Sequence, residues 1–246
     1  MKISALIIAR NEENIIENTL KSISFADEIV IILDRSVDKT KSICRKYTKK
    51  IFSGFWTCEG QRRNYGIKKC TSEWILEIDA DEIVSKNLKK EILIKKNHKE
   101  FDFFYIKLLN FVGNKPIRFG WMACMAPDGK FCFFKKKAKK WHRGLVHPSY
   151  SIEGKKGSKF DNYIIHNMSK DLSDLVKRFN RNTSLRSEEL KKQKNLKVDI
   201  SLRKILSRFI KSFFLRKGYK GGGIGFMIAI LNAIYPLISM IKSIEK

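Results

Sequence analysis

The fold class is decided by the stretch WILEIDADE at residues 74–82, in which an apolar strand leads directly into acidic side chains. Shorter apolar runs precede it at residues 3–9, 28–33 and 51–52. Segments with helical periodicity separate these runs, and strands that alternate with helices form a parallel sheet joined by right-handed crossovers. The sequence therefore predicts an α/β fold with a mostly parallel sheet.

Carboxylates follow two of these strands at the edge where open parallel sheets bind their ligands. Asp34 follows the second strand, and Asp79 and Asp81 follow the fourth. Two aspartates at positions i and i+2 can aim at one cation, and their hard oxygen atoms suit Mg²⁺ or Mn²⁺. Such a cation stabilises the negative charge that develops on a phosphate leaving group. A bare Asp-x-Asp pattern is common by chance, so its position after a buried strand carries the prediction of a metal site.

The rest of the chain changes character twice. The middle is rich in aromatic residues, and strands are predicted at 101–106, 131–134 and 162–167. From Asp171 the pattern becomes helical, and it includes a basic amphipathic helix over roughly residues 200–216. An uncharged stretch follows at 221–241 and begins with consecutive glycines. We predict a basic helical extension over residues 171–246.

The charge of the chain is strongly positive, with 51 lysines and arginines against 25 aspartates and glutamates. The excess lies mostly after residue 100, which indicates a polyanionic partner such as nucleic acid, an anionic membrane or a phosphorylated glycolipid. Lysine-rich codon usage explains part of the excess but not its uneven distribution. The uncharged stretch is long enough to cross a bilayer. We expect it to lie in the membrane interface, with a single span and a helix packed on the rest of the protein as alternatives.

Four short motifs follow the predicted elements in order: IARNEE at 8–13, LDRSVDKT at 33–40, QRRN at 61–64 and WILEIDADE at 74–82. Together they resemble family 2 glycosyltransferases with the Rossmann-like GT-A fold. The chain is most similar to bacterial lipopolysaccharide-core β-glycosyltransferases, which carry a later segment like WHRGLVH at 141–147. The resemblance covers roughly residues 1–190.

The resemblance implies a GT-A catalytic domain at residues 1–170, followed by the helical extension at 171–246. Within the domain, the nucleotide-sugar-binding half would be about 1–100 and the acceptor half about 101–170. The expected activity is inverting, metal-dependent transfer of a sugar from a nucleotide-sugar, a UDP-sugar being expected, to a glycan or glycolipid. The expected pathway is lipopolysaccharide or cell-envelope polysaccharide synthesis. The odd number of scattered cysteines favours free thiols in a reducing cytosol. The basic amphipathic helix suits an anionic leaflet, so we expect a cytoplasmic enzyme that is peripheral on the inner face of the plasma membrane.

The resemblance also implies roles for particular residues. Asp34 would contact the nucleoside, while Asp79 and Asp81 would hold the Mg²⁺ or Mn²⁺ ion and the diphosphate. Arg10 and Glu12 would line the nucleotide pocket, and Arg62 and Arg63 would lie near the diphosphate or the sugar. Planar guanidinium groups suit phosphate as bidentate donors, which agrees with the last two assignments.

The general base is where this chain departs from the family pattern. Inverting transfer needs a base that deprotonates the acceptor hydroxyl. Related sequences often read Val-His-Glu where this one reads Val-His-Pro at 146–148. His147 is therefore the catalytic candidate, as the base or as a further metal ligand, since a neutral imidazole can act as either. A structural role for His147 is equally open, and Asp128, Glu153 and His166 remain alternatives for the base.

Two other functions compete with this interpretation. A sugar nucleotidyltransferase would also use a Rossmann-like sheet and metal-binding aspartates. It would show a glycine-rich, basic phosphate loop after the first strand, where this chain has Arg10, Asn11, Glu12 and Glu13. A nucleic-acid-binding protein would explain the charge, but the sequence contains no recognition motif or zinc spacing. We therefore expect no nucleic-acid partner.

Overall fold

The computed structural model describes residues 1–120, 127–143, 148–192 and 201–245. The chain divides into two compact units. The first unit comprises Met1–Leu108 and Gly129–His166, and the second comprises Leu109–Asp128 and Asn167–Lys246. The predicted functional division into a catalytic domain at 1–170 and an extension at 171–246 stays a prediction.

The first unit begins with the predicted alternation of strands and helices. The strands are β1 (Ile3–Ala9), β2 (Glu28–Asp34), β3 (Ile51–Gly54) and β4 (Trp74–Asp79), and the helices between them are α1 (Ile16–Ser22), α2 (Thr40–Cys44) and α3 (Glu59–Lys69). These four strands lie in the order β3-β2-β1-β4, and every pairing among them is parallel. The α/β fold class is confirmed, and the three crossover helices lie where the sequence pattern placed them.

Later strands extend this sheet with antiparallel pairings. They are β5 (Glu82–Val84), β6 (Phe103–Val112), β7 (Lys115–Ile117), β8 (Gly129–Lys135) and β11 (Ile164–Ser169), with α4 (Lys86–Lys95) after β5. The sheet order is β3-β2-β1-β4-β8-β6-β11-β5, with β7 on β6. A separate two-stranded ribbon joins β9 (Lys139–Trp141) to β10 (Tyr150–Ile152). The observed β6 is longer than the predicted 101–106.

Both faces of the central strands are buried, which explains their nearly continuous apolar sequences. Alternate residues of β1 point to opposite sides, with Ile7 in one core cluster and Leu6 and Ile8 in another. The same alternation holds in β4. Trp74 packs on one side, where its ring stacks on Phe133 at 4.5 Å between centroids. Glu77 is therefore on the other side, the side that α3 covers.

The second unit is largely helical and contains α5 (Leu172–Lys191), α6 (Leu202–Ile210) and α7 (Gly222–Ile244), with a π-helical turn at Lys211–Leu215 and a 3₁₀ turn at Gly218–Gly221. Asp171 caps α5 by accepting a hydrogen bond from the Asp174 amide at 2.8 Å. Leu175 and Phe179 of α5 pack in one apolar cluster with Ile228 and Leu231 of α7. The predicted helical character of residues 171–246 is therefore present in the described part of this segment.

The uncharged stretch predicted at 221–241 lies in α7. Together with the turn before it, α7 forms a segment at Gly218–Ile244 that is long and apolar enough to cross a membrane by length and composition alone. In its most apolar window, 39% of the residues are buried inside the protein. Ile228 and Leu231 are buried in the cluster shared with α5. One side of α7 thus belongs to the core of the second unit.

Candidate active site

The carboxyl ends of β2 and β4 flank β1 at one edge of the parallel strands. In the register of the sheet, Ala9 of β1 pairs with Leu33 of β2, and Ile8 pairs with Asp79 of β4. Asp34 follows Leu33 and Asp79 ends β4, so both aspartates lie at the edge that the sequence predicted. Neighbouring strands are about 4.8 Å apart, which separates β2 from β4 by roughly 10 Å.

Asp34 is buried, and two arginines donate hydrogen bonds to its carboxylate. Arg35 donates to its two carboxylate oxygens, each at 3.0 Å, and Arg62 of α3 donates to Oδ2 at 3.0 Å. The Trp56 amide lies 3.4 Å from Oδ1. Arg35 adopts a left-handed backbone with φ of 53°. The buried Nε of Arg62 has no hydrogen-bond partner among the described residues, so this guanidinium keeps one donor for another acceptor.

Arg63, the next residue of α3, is surrounded by carboxylates. Its Nε and one terminal nitrogen donate to Glu59 at 2.8 and 2.6 Å, and the other terminal nitrogen donates to Glu77 at 2.7 Å. The terminal nitrogen that contacts Glu59 also donates to Asp79 Oδ1 at 3.1 Å. Only 11% of the side chain is exposed. A rigid planar fork can serve several acceptors at once, and Arg63 therefore fixes the end of β4 against α3.

Asn64, the last residue of the QRRN motif on α3, contacts Trp141, the first residue of the WHRGLVH segment. Its side-chain nitrogen Nδ2 donates to the Trp141 carbonyl at 2.8 Å, and its side-chain oxygen Oδ1 accepts from the Trp141 backbone amide at 3.0 Å. Gly60, one turn earlier, lies so close to the His142 carbonyl that a Cβ would approach it to 1.9 Å. The Arg63 guanidinium stacks over the Trp141 ring at 4.9 Å. One helix thus joins two of the motifs that are distant in sequence.

Lys130 of β8 is a site residue that sequence reasoning missed. Its ammonium donates to Asp79 Oδ2 at 2.9 Å and to Glu82 Oε2 at 2.6 Å. The same Glu82 oxygen accepts from the Asp79 amide at 2.9 Å. Burial alone would raise the pKa of Asp79, but Lys130 and Arg63 outweigh it and hold that pKa well below its usual range. Asp79 is therefore an anion at neutral pH.

A second missed residue is Lys139 of β9, which is buried. It donates to Glu77 Oε2 at 2.8 Å and to the Phe131 carbonyl at 2.8 Å. Burial would raise the pKa of Glu77, and Lys139 together with Arg63 lowers it. In the sequence, Lys139 belongs to a run of lysines that looks like a solvated surface, so no pattern distinguishes it.

Asp81 lies in the turn between β4 and β5 and has a different neighbour from Asp79. Its Oδ2 is 3.3 Å from Nε2 of His166 on β11. The antiparallel pairing of β11 with β5 places His166 opposite Glu82 and so beside this turn. His166, one of the alternatives for the base, is buried. The contact with His166 orients the Asp81 carboxylate.

The residues around the turn fit a divalent cation in charge and in ligand chemistry. Five carboxyl groups (Glu59, Glu77, Asp79, Asp81 and Glu82) lie among three basic side chains (Arg63, Lys130 and Lys139), so acidic groups outnumber basic ones even without Glu82, whose pKa burial raises to about 7. Buried charge of this kind requires compensation. Mg²⁺ and Mn²⁺ bind through one or two carboxylates together with substrate phosphates. Among the described residues, no group of three or more His, Cys, Asp or Glu side chains is placed to hold a metal ion by itself.

The loops after β1 and β2 are joined by hydrogen bonds. Asn11, at φ 54°, accepts from the Val37 amide at 2.9 Å, and Glu13 accepts from the Lys39 amide at 2.9 Å. α1 begins at Ile16 without a side-chain cap, because these polar groups bond to the neighbouring loop instead.

The remaining predicted residues are placed as follows. Arg10 is exposed directly after β1, and the amide of Glu12 donates to Thr40 Oγ1 at 2.8 Å. Glu153 is exposed, and Asp128 belongs to the second unit. His147 lies outside the described residues, so its catalytic role stays a prediction.

The chain matches the family model described as glycosyl transferase family 2 over residues 4–152, and it belongs to that family. An uncharacterized glycosyltransferase of Rickettsia bellii is 28% identical, over 98% of this chain and 85% of the relative. The lipopolysaccharide core biosynthesis glycosyltransferase LpsC of Rhizobium meliloti is 29% identical, over 37% of this chain and 35% of LpsC. The crystal structure of S. aureus TarS 1–349 aligns with a TM-score of 0.49 and 15% identity, over 99% and 88% of the two chains.

Proposed function

We propose that this glycosyltransferase takes its sugar from a nucleotide-sugar donor bound at the carboxyl edge of β1, β2 and β4. The observation that carries the proposal is the pair of adjacent arginines on α3. Arg62 holds Asp34 at the end of β2, and Arg63 holds Asp79 at the end of β4. Two fixed carboxylates roughly 10 Å apart give one extended ligand a separate contact at each end.

The end at Asp34 suits the nucleoside. A buried carboxylate can accept hydrogen bonds from a base or ribose, and two arginines hold the Asp34 carboxylate in place. Arg10 and Glu12 follow β1 between the two ends and would line the pocket. The unpartnered Nε of Arg62 supplies a donor for a phosphate or sugar oxygen.

The end at Asp79 and Asp81 suits the diphosphate. A bound Mg²⁺ or Mn²⁺ ion would stabilise the charge on the leaving diphosphate as a Lewis acid. Asp79 and Asp81 are the residues that would hold it, with Lys130 and Arg63 keeping Asp79 ionised and in place. Arg63 is thus a positioning residue for Asp79, because its donors are already engaged by carboxylates.

The acceptor side of the proposal is an inverting transfer to a glycan or glycolipid. The residues that would bind it belong to the acceptor half at about 101–170, and His147 would take the proton from the attacking hydroxyl. The relative LpsC acts in lipopolysaccharide core biosynthesis, which supports an acceptor of the cell envelope. Such an acceptor is built on lipid, and the enzyme would then work in the cytoplasm at the inner face of the plasma membrane.

Donor binding tests this proposal directly. Calorimetric titration with a panel of nucleoside diphosphates and UDP-sugars, in the presence of Mn²⁺, should give saturable binding for at least one member. Asp34→Ala should weaken that binding at least about tenfold, since charge-assisted hydrogen bonds are worth about 1.5–3 kcal/mol. Glu100→Ala, on an exposed residue, is the control and should bind normally. Unchanged donor affinity in folded Asp34→Ala would overturn the nucleoside assignment.

A further inference from the structure

An exposed apolar stripe runs along α6 into the π-helical turn. Leu202, Leu206 and Ile210 follow one another at intervals of four residues and share one side of the helix. Leu202 is 80% exposed and Leu206 is 59% exposed. Phe214 and Leu215 extend the exposed apolar surface through the turn. We refer to these five residues as the α6 stripe.

The α6 stripe belongs to a helix that is held in place by contacts of its other side chains. Phe209 packs edge-on against Phe226 of α7, with 5.9 Å between ring centroids. Arg208 donates from Nε to the Asn232 carbonyl at 2.9 Å. Ser212 donates to the Gly120 carbonyl at 2.5 Å. The exposure of the stripe is therefore not that of a frayed helix, because other residues of the same segment contact α7 and Gly120.

The charged residues near the stripe in the sequence are all basic. Between residues 201 and 244 the sequence contains no aspartate or glutamate. Arg203 and Lys211 of this segment are exposed beside the stripe, and Lys217 and Lys220 follow the turn. A helix with aliphatic and aromatic residues on one side and lysine or arginine beside them is the pattern of helices that lie in the headgroup region of anionic bilayers.

We propose that the α6 stripe inserts into the headgroup and acyl boundary of an anionic lipid leaflet, with Arg203 and Lys211 against the lipid phosphates. A nucleic acid would use the basic residues but would leave the leucines in water. A second copy of this chain would bring two basic borders together, and like charges oppose such pairing. An anionic lipid surface satisfies the apolar and the basic side chains at once.

Hydropathy alone would place the membrane contact on α7 and not on the α6 stripe. α7 is the most apolar segment, yet Ile228 and Leu231 are buried against α5. The inference therefore places the membrane contact on α6 and leaves α7 as the helix on which α6 rests. It rests on the membrane location in the proposed function and names the surface that would contact the lipid, and lipid binding and donor binding can be measured separately on the same protein.

Co-sedimentation of the full chain with vesicles tests the apolar part. Binding to phosphatidylglycerol-containing vesicles is expected, with weak binding to pure phosphatidylcholine vesicles. Leu206→Ser should lower the partition coefficient about tenfold or more, because each inserted CH₂ contributes about 0.8 kcal/mol. Ile94→Ser on α4 is the matched control, since Ile94 is 65% exposed in the first unit, and it should bind normally.

The basic part is tested by salt and by charge. Arg203→Gln with Lys211→Gln should lower binding about thirtyfold at low salt, at about 1 kcal/mol for each basic residue. The effect should shrink as salt screens the leaflet. Lys41→Gln with Lys90→Gln removes the same charge from exposed sites in the first unit and should have little effect.

Insertion itself is reported by a tryptophan in the stripe. Phe214→Trp should shift its emission to the blue on anionic vesicles and be quenched by brominated acyl chains. The inference is overturned if the folded protein does not bind anionic vesicles, or if Leu206→Ser and Ile94→Ser bind alike. Stripe-dependent self-association without lipid, or binding of duplex DNA in place of vesicles, would also overturn it. Donor affinity should be the same in all these variants, which separates failure here from failure of the proposed function.

Discussion

Replacement of Arg63 by methionine should destabilise the protein far more than replacement of its neighbour Arg62. Arg63 makes hydrogen bonds to Glu59, Glu77 and Asp79, and only 11% of its side chain is exposed. Arg63→Met keeps the apolar stem but leaves these carboxylates without that cation. Removing one partner from a buried ion pair costs about 3–5 kcal/mol. For a chain of this size, that loss lowers the melting temperature by roughly 6–20 °C.

Arg62→Met is the matched comparison, because it removes an adjacent arginine from the same helix. Arg62 is 23% exposed and pairs with Asp34, which keeps Arg35 as a second partner. We expect a loss of about 1 kcal/mol, near the value of one modest ion pair. Thermal unfolding followed by circular dichroism gives both values under identical conditions. Equal melting temperatures for the two variants would refute the view that Arg63 holds the carboxylates together.

Three further outcomes follow from single contacts. Glu28 accepts hydrogen bonds from neighbouring side chains and an amide; burial would raise its pKa, but these bonds lower it from 4.5 to about 2. Glu28→Gln should therefore cost about 2 kcal/mol at pH 7. Because the folded pKa is depressed, urea unfolding should show this difference shrinking as the pH falls from 4.5 towards 2; a constant difference would contradict it. Asn64→Ala should speed hydrogen exchange of the Trp141 amide, which it binds at 3.0 Å, and unchanged exchange would count against that contact. Gly60→Ala places a Cβ 1.9 Å from a carbonyl oxygen and should destabilise, whereas Gly223→Ala meets nothing within 4 Å and should stabilise by up to about 1 kcal/mol; equal melting temperatures would contradict the close approach.

The sequence predicts the parallel half of the sheet well because local patterns determine it. β4 was expected at 74–78 and is observed at Trp74–Asp79, and Asp34 and Asp79 end strands as expected. Apolar runs of this kind need only be buried on both faces to become strands. The antiparallel additions are harder to predict, because their pairing depends on contacts between residues far apart in the chain.

Prediction of the ion pairs at the candidate site is limited in the same way, because most of them join residues that are distant in the sequence. The pair of Glu59 with Arg63 spans one helical turn and can be found from the sequence. Lys130 is 51 residues from Asp79, and Lys139 is 62 residues from Glu77, so no local pattern connects them. Sequence reasoning assigned Arg63 to the diphosphate, and the structure gives its donors to carboxylates. Its contact with a donor stays a prediction.

The most direct test of the central claim is metal-dependent turnover of a nucleotide-sugar by the wild-type chain and by Asp79→Asn and Asp81→Asn. A screen of nucleotide-sugars with Mn²⁺ should identify a consumed donor, and EDTA should stop its consumption. Each aspartate variant, confirmed as folded by circular dichroism, should lose at least about a hundredfold in rate, the scale for removal of one group that stabilises developing charge. Full activity in EDTA, or near-normal turnover in both variants, would contradict a donor site built on these aspartates.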